Sequence, residues 1–295
     1  MELRVLQYFL TVVQEENISR AAEVLHVTQP TLSRQLAQLE SELGTQLFIR
    51  GKHLILTEAG LMLQRRAEEV VGLMEKIDAE FHLQEELEGV ISIGCGGQYA
   101  TFLLAEIMET FHMAHPKVQY GFFTYHADDI KERLDRGLLD FGLLLEPVDK
   151  EKYDYIRILT KERWGLLMRT GHPLSKKELI LKEDLLGLPL VTTGRLPMQK
   201  EIANWMGSDF EKLNIFATYN IITNAALLVS SGTACALTIE GSVRLFDDRR
   251  LTFRPLSPEL SMTSVLAWKK LGAMYGAPGR FLEYFKSIQF GHTEV

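Results

Sequence analysis

Leu3, Leu6, Leu10 and Val13 recur at helical spacing and predict a first amphipathic helix that ends near Gln14, Glu15, Glu16 and Asn17. A shorter helix is expected next. Asn17 or Ser19 can accept a backbone N–H at its start, and Ile18, Ala22 and Leu25 share one face before His26 and Val27 turn the chain. Thr28 is placed to cap a third helix, with Pro30 in the first turn, where a missing N–H costs nothing because those donors have no intrahelical partner. Leu32, Leu36 and Leu39 form its inward stripe, and at about 100° per residue Arg34 points roughly 200° away from Leu32. After Leu43 and Gly44, two short β-prone runs flank Gly51 and Lys52, which predicts a hairpin with a basic tip. From Glu58 a long helical pattern runs to about Glu88, with Leu63, Ala67, Val70, Met74, Ile77 and Phe81 spaced 4, 3, 4, 3, 4 as an a/d seam.

The pattern then changes character. Glu85 to Gly89 closes the long helix and marks a domain boundary, and Val90 to Gly94 reads as a buried strand running into Cys95, Gly96, Gly97, Gln98 and Tyr99. A helix with Leu104, Ile107, Met108 and Phe111 on one face ends at His115 and Pro116. Val118 to Thr124 gives a second strand, Asp128 to Arg136 a helix, and Gly137 to Leu145 a third strand. Trp164 to Met168, Leu188 to Thr192, a helix through Glu201 to Met206, and Ala225 to Ile239 repeat the alternation, so two α/β lobes are expected.

Composition agrees with a globular chain: of 295 residues 46% are hydrophobic and 24% charged, enough apolar material for a sizeable core and more than one domain. The uncharged run Leu213 to Ile239 carries Asn214, Thr218, Asn220, Thr223, Asn224, Ser230, Ser231 and Thr233, too many hydrogen-bonding groups for lipid, and reads as protein core. Two cysteines, Cys95 and Cys235, belong to no CxxC pair, and the start shows no secretion signal, so a reducing cytoplasm is the expected setting. A net charge of −7 argues against coating nucleic acid by bulk basicity, so any such contact must be local.

Local chemistry of that kind surrounds Arg34. Gln29, Thr31, Ser33, Gln35 and Gln38 are hydrogen-bonding side chains with no carboxylate among them until Glu40, and Arg and Gln have the bidentate geometry that reads guanine and adenine in a major groove. The polar face of an isolated helix is usually only solvated. Two short helices around a tight turn, the second polar at its N-terminal end, reverse that preference. Arg50, Lys52 and His53 at the hairpin would touch phosphates or the minor groove. The seam helix is otherwise dominated by Glu, Gln, Arg and Lys, which argues for pairing with another chain over packing on its own domain.

These residues carry a resemblance. Ser19-Arg20-Ala21-Ala22, Thr28-Gln29-Pro30-Thr31-Leu32-Ser33, Leu39-Glu40 with Leu43-Gly44, Leu47-Phe48-Ile49-Arg50 and Leu56-Thr57-Glu58-Ala59-Gly60 resemble the signature of LysR-type transcriptional regulators, in order and spacing, over about sixty residues. Between Phe48 and Thr57 the chain is one residue shorter than the usual pattern, and His53 stands where a wing arginine is common. The resemblance implies a winged helix-turn-helix over 1–58 that contacts DNA through Thr28, Gln29, Pro30, Thr31, Ser33, Arg34, Gln35, Arg50, Lys52 and His53. It further implies a linker and dimerisation helix over 59–88, and over 89–295 an α/β effector domain similar to periplasmic solute-binding proteins. There lobe I (about 89–161 and 267–295) and lobe II (about 162–266) would be joined by crossover strands and clasp a small molecule, in a homodimer or homotetramer.

In open α/β sheets ligands bind beyond strand C-termini, where helix N-termini supply free N–H donors. Gly97, Gln98 and Tyr99, facing Thr193 and Asn224 from the other lobe, are therefore the expected site for a small anionic effector. Competing chemistry is thin. GxGxxG, P-loop and GxSxG motifs are missing, and His112 and His115 lack the companions a metal needs, so neither cofactor, metal nor catalysis is expected. Cys95 reads as a structural thiol in place of an oxidant sensor, because its strand is apolar and no resolving cysteine lies near. Two alternatives remain open: a cytoplasmic solute-binding protein whose N-terminal helices serve assembly, and an enzyme built on the α/β domain.

Overall fold

The computed structural model describes residues 2–49, 54–81, 87–244, 249–270 and 274–291. The chain forms two compact units, Met1–Leu83 and Gln84–Val295.

In the first unit the caps and stripes read from the sequence are used. Helix α1 is Leu3–Glu15, α2 is Ile18–Val24 and α3 is Gln29–Leu43. Asn17 Oδ1 accepts the Ser19 and Arg20 N–H groups, Thr28 Oγ1 accepts that of Thr31, and Gly44, at φ +66°, ends α3 in the left-handed conformation that a side chain would resist. Leu32, Leu36 and Leu39 are buried as expected. The buried face of α1 is turned from the expected one: Val5, Leu6, Phe9 and Val12 are inside and Leu10 and Val13 lie at the margin, because Phe9 packs on Phe48, ring centroids 5.3 Å apart.

Strands β1 (Phe48–Ile49) and β2 (Ile55–Leu56) pair antiparallel with Phe48 opposite Leu56, so the hairpin is present. Helix α4 spans Glu58–Phe81. Leu87 and Glu88 are not helical, so the expected helix does not reach Glu88, and α4 falls within the first unit. The motif Thr57-Glu58-Ala59-Gly60 has a plain physical basis. The Thr57 hydroxyl donates to Gln46 O at 2.7 Å and accepts the Gly60 N–H at 3.0 Å, while Gly60 leaves no room for a Cβ against the Leu47 carbonyl. Gly60→Ala is expected to push α4 off this segment and destabilise the unit by about 1–3 kcal/mol, seen as a lower urea midpoint of the full chain.

The second unit is built on one continuous hydrogen-bonded sheet. Its strands are β3 (Gly89–Cys95), β4 (Val118–Thr124), β5 (Phe141–Leu145), β6 (Tyr153–Arg169), β7 (Pro189–Thr193), β8 (Asn214–Tyr219), β9 (Cys235–Ile239), β10 (Leu251–Pro255) and β11 (Ser261–Lys269). They run in the order β4-β3-β5-β11-β6-β9-β7-β8, with β10 paired to β6. Within each lobe the neighbours β3/β4, β3/β5, β7/β8 and β7/β9 are parallel. The long strands β6 and β11 pair antiparallel and pass from one lobe to the other: β11 joins β5, and the far end of β6 joins β9 and β10.

Helices α5 (Ala100–Ala114) and α10 (Gly276–Gly291) cover lobe I over a core of Ile91, Ile93, Phe111, Phe141, Phe281 and Phe285. Lobe II has two cores: Trp164, Leu166, Leu190, Ile202 and Trp205 under α7 (Leu196–Met206), and Leu167, Val191, Ala225, Val229 and Ala236 under α8 (Ile222–Ser230). Helix α6 (Ala127–Asp135) packs on β3, β5 and β11 in lobe I, with Ile130 and Leu134 against Leu139 and Leu144, and the short α9 (Glu240–Val243) completes lobe II. The third strand begins at Phe141, not Gly137: Gly137 turns the chain at φ +71°, and Asp140 turns its carboxylate to the Ser92 N–H at 2.7 Å. The uncharged run becomes β8, α8 and β9, and none of the described helices is long and apolar enough to cross a membrane.

Candidate functional site

In the first unit α2 and α3 meet across the turn at His26, which sits at φ +53°, with the Val27 N–H bonded to Ala22 O at 2.9 Å. Opposite the leucine stripe of α3, Gln29, Pro30, Arg34 and Gln38 are exposed and Thr31, Ser33 and Gln35 half-buried. Gln29 Nε2 donates to the Ser33 hydroxyl at 2.9 Å, and the Thr28 and Thr31 hydroxyls lie 2.8 Å apart. Arg34 makes no hydrogen bond or ion pair among the described residues. The Glu40 carboxylate is turned away, accepting the Leu47 and Phe48 N–H groups at 2.8 and 3.3 Å, so it anchors β1 and leaves the exposed face free of its charge. That face can present donors and acceptors to base edges. Arg50, Lys52 and His53 lie outside the described residues.

In the second unit a cavity of about 410 Å³ opens between the lobes. Val191, Gly194, Thr218, Tyr219, Asn220, Asn224, Ala225 and Leu228 line it from lobe II, and His126 from lobe I. The ends of β7 and β8 and the start of α8 thus form one wall, as the rule on strand C-termini requires. Burial pushes the Tyr219 phenol up to about 12, so it stays protonated, and its hydroxyl is spent on Leu237 O at 3.0 Å. Next to Gly194 in sequence, Arg195 Nη2 stands 3.6 Å from Asp128 Oδ1, an ion pair that spans the two lobes.

Residues 3–61 match the pattern of the bacterial regulatory helix-turn-helix protein, lysR family, and residues 84–288 that of the LysR substrate binding domain. The chain belongs to the LysR family. Among LysR relatives it is 30% identical over 277 residues to the Hca operon transcriptional activator HcaR of Escherichia coli (strain K12), covering 92% of each chain. It is 28% identical over 252 residues to the HTH-type transcriptional regulator YtlI of Bacillus subtilis (strain 168), covering 82% of each. The fold is that of CbnR, a LysR family transcriptional regulator, at a TM-score of 0.73 and 21% identity over 97% of this chain and 98% of that one. As a LysR regulator the protein binds DNA with its N-terminal unit and carries an effector-binding domain of two α/β lobes.

Of the five effector residues expected for this LysR domain, Asn224 lines the cavity and the other four do not. Thr193 is buried, its hydroxyl accepting the Arg195 N–H at 3.2 Å and its carbonyl bonded by Gln199. The turn Gly97-Gln98-Tyr99 is held elsewhere. Its Gly97 carbonyl accepts the Ser242 hydroxyl, and Gly241 of α9 packs so closely on Tyr99 and Gln98 that a Cβ would meet their backbone. The start of α5, expected to offer open N–H donors, is already occupied: Glu162 of β6, fully buried, accepts the Ala100 N–H and the Ser264 hydroxyl, each at 3.1 Å. Burial raises the Glu162 carboxyl above its usual range, against the pull of the Tyr99 and Ala100 N–H groups and Ser264. An internal carboxylate therefore takes the place assigned to the effector anion at this helix. His126, Tyr219 and Asn220 were missed. His126 follows the strand Val118 to Thr124, and the same strand-end rule would have found it.

The seam on α4 divides. Ala67 is buried at 1% exposure in the core of its own unit, and Leu63 packs against that core, so these two are not open to another chain. Val70 and Ile77 are exposed at 43% and 45%, together with Leu73, while Met74 is half-buried. Phe81 is the last described residue of the helix. Burial pushes the Cys95 and Cys235 thiols up to about 11, so both are protonated and unreactive at neutral pH.

Proposed function

We propose that Arg34, with Gln29, Thr31, Ser33 and Gln35 around it, reads base edges in a major groove, while the wing residues Arg50, Lys52 and His53 hold the phosphate backbone. Two copies of the chain pair through the exposed stripe Val70, Leu73 and Ile77, so that two reading helices meet two half-sites. A small molecule in the interlobe cavity modulates that binding. The protein acts in the cytoplasm, needs no cofactor beyond this effector, and catalyses nothing. The observation that supports the DNA reading most directly is the exposed Arg34, unpaired among the described residues and set opposite the buried leucines.

Arg34→Ala tests it. Losing one bidentate base contact costs about 1–3 kcal/mol of discrimination, roughly a 5- to 150-fold loss of preference for operator over random DNA. Competition binding at fixed salt reads this ratio directly. An unchanged preference in the variant would remove Arg34 from the groove.

A further inference from the structure

We propose that the short helix α9 of lobe II, seated on the start of α5 in lobe I, is the pivot on which the lobes turn, so that any rearrangement between them opens or closes the opposite face of the sheet. The pivot belongs to the lobes themselves and does not depend on which molecule enters the cavity.

The alternation of side chains along β6 separates the two faces. Ile156 and Ile158 join the core beneath α5, and Trp164 and Leu166 that beneath α7. On the other side Tyr153 packs with Ile130 and Leu134 of α6, and Leu167 with Ala225 and Val229 of α8. Glu162 is in step with Ile158 and Trp164, so the bond it accepts from Ala100 lies on the α5 and α7 face. There α9 is gripped from both lobes. Arg163 of β6 donates from Nε and Nη2 to Glu240 Oε2 at 2.9 and 2.8 Å, the Ser242 hydroxyl donates to the Gly97 carbonyl, and the Arg244 guanidinium stands 4.9 Å from the centroid of the Tyr99 ring. Between these contacts a Cβ on Gly241 would overlap Tyr99 N and stand 2.6 Å from Gln98 C and 2.7 Å from Glu162 Oε2.

Backbone packed on backbone leaves no free play at that point, and close-packed contacts of this kind move as units. The opposite face is looser. There the cavity separates His126 of lobe I from the ends of β7 and β8 and the start of α8, and the Arg195–Asp128 pair is 3.6 Å long, beyond hydrogen-bond distance, with the Asp128 side chain 63% exposed. A turn that keeps α9 seated can break this pair cheaply, since a long pair with one solvated partner contributes little. A turn that parts α9 from α5 leaves the buried Ser242 hydroxyl without its acceptor. The easier motion is therefore rotation about α9, and it is read out beside α6 and α8.

The test measures the opposite face while the pivot is altered. Spin labels are placed on the full chain through Asp129→Cys of α6 and Thr223→Cys of α8, both exposed, while Cys95 and Cys235 are buried and stay unlabelled. Double electron–electron resonance, with labelled chains diluted in unlabelled ones so that distances arise within one chain, gives the distribution between them. Gly241→Ala puts a wedge between α9 and α5 and is expected to move the peak by a few ångströms. Ser242→Ala removes one bond without adding bulk and is expected to broaden the distribution. Leu185→Ala, a change in the core of lobe II away from α9, should lower Tm and leave the distribution as in wild type. A distribution that stays as in wild type in both α9 variants, with Tm lowered, would make α9 plain packing and overturn the proposal. So would a shift in Leu185→Ala as large as theirs. Should Gly241→Ala fail to fold, Ser242→Ala decides by itself: a broadened distribution upholds the pivot and an unchanged one removes it.

Discussion

The double variant Val70→Glu, Ile77→Glu is expected to sediment as a monomer and to lose operator affinity by about 10²- to 10⁴-fold, the advantage that linking two reading units confers. Both side chains are exposed in the single chain, so the fold of the N-terminal unit should survive, whereas the same changes at Ala67 would break its core. In a paired seam the four carboxylates would be buried with no cation opposite, and leaving charges unpaired in that way is strongly unfavourable. Sedimentation equilibrium and operator titration on one preparation separate the two effects. An unchanged mass with full affinity would mean that this stripe is merely solvated and that pairing, if any, uses another surface.

Glu162→Leu should cost the C-terminal unit about 2–4 kcal/mol. The change leaves the Ala100 N–H and the Ser264 hydroxyl buried without an acceptor and removes the cap of α5. For a unit of this size that lowers Tm by roughly 5–15 °C, at roughly 2–4 °C per kcal/mol. Glu162→Gln separates the charge from the hydrogen bonds. Burial holds the folded carboxyl above its ordinary value of 4.5, so the stability linked to its protonation is complete below that pH and is lost as pH rises through the raised value. The wild type should therefore lose stability relative to the Gln variant as pH rises from 4.5 upward. A difference that stayed flat from acid to neutral pH would show that Glu162 ionises in the fold as freely as in the unfolded chain.

Much of the N-terminal unit was legible in the sequence because its determinants are local. A cap at Asn17 or Thr28 acts on an N–H two or three residues away, the left-handed stop at Gly44 acts on its own turn, and the stripe Leu32, Leu36, Leu39 repeats within one helix. In the C-terminal unit the same held for strands bounded by turn residues: the bounds expected for Val118–Thr124 are those observed, and the strand expected at Leu188 to Thr192 is Pro189–Thr193. The 17-residue strand β6 was legible only at its apolar end, Trp164 to Met168. From Tyr153 to Arg163 its exposed positions carry Asp154, Arg157, Leu159, Lys161 and Arg163, and pairing with β11, about a hundred residues later, is what makes it a strand.

The functional sites divide along the same line. A heptad spacing shows that a stripe is covered, but the core of the same unit covers Leu63 and Ala67 and leaves Val70 and Ile77 exposed, a distinction that periodicity does not contain. The strand-end rule located the right edge of the sheet, and Asn224 with it. Which donors stay open there was decided by side chains arriving from afar. Glu162 reaches Ala100 across 62 residues of chain and closes the start of α5, and Asp128 stands against Arg195 from the opposite lobe. The sequence by itself determined which residues are apolar, which can cap and which can bind. Only the tertiary structure decided which polar groups already satisfy one another, because desolvation and hydrogen bonding depend on distance in space and not on separation along the chain.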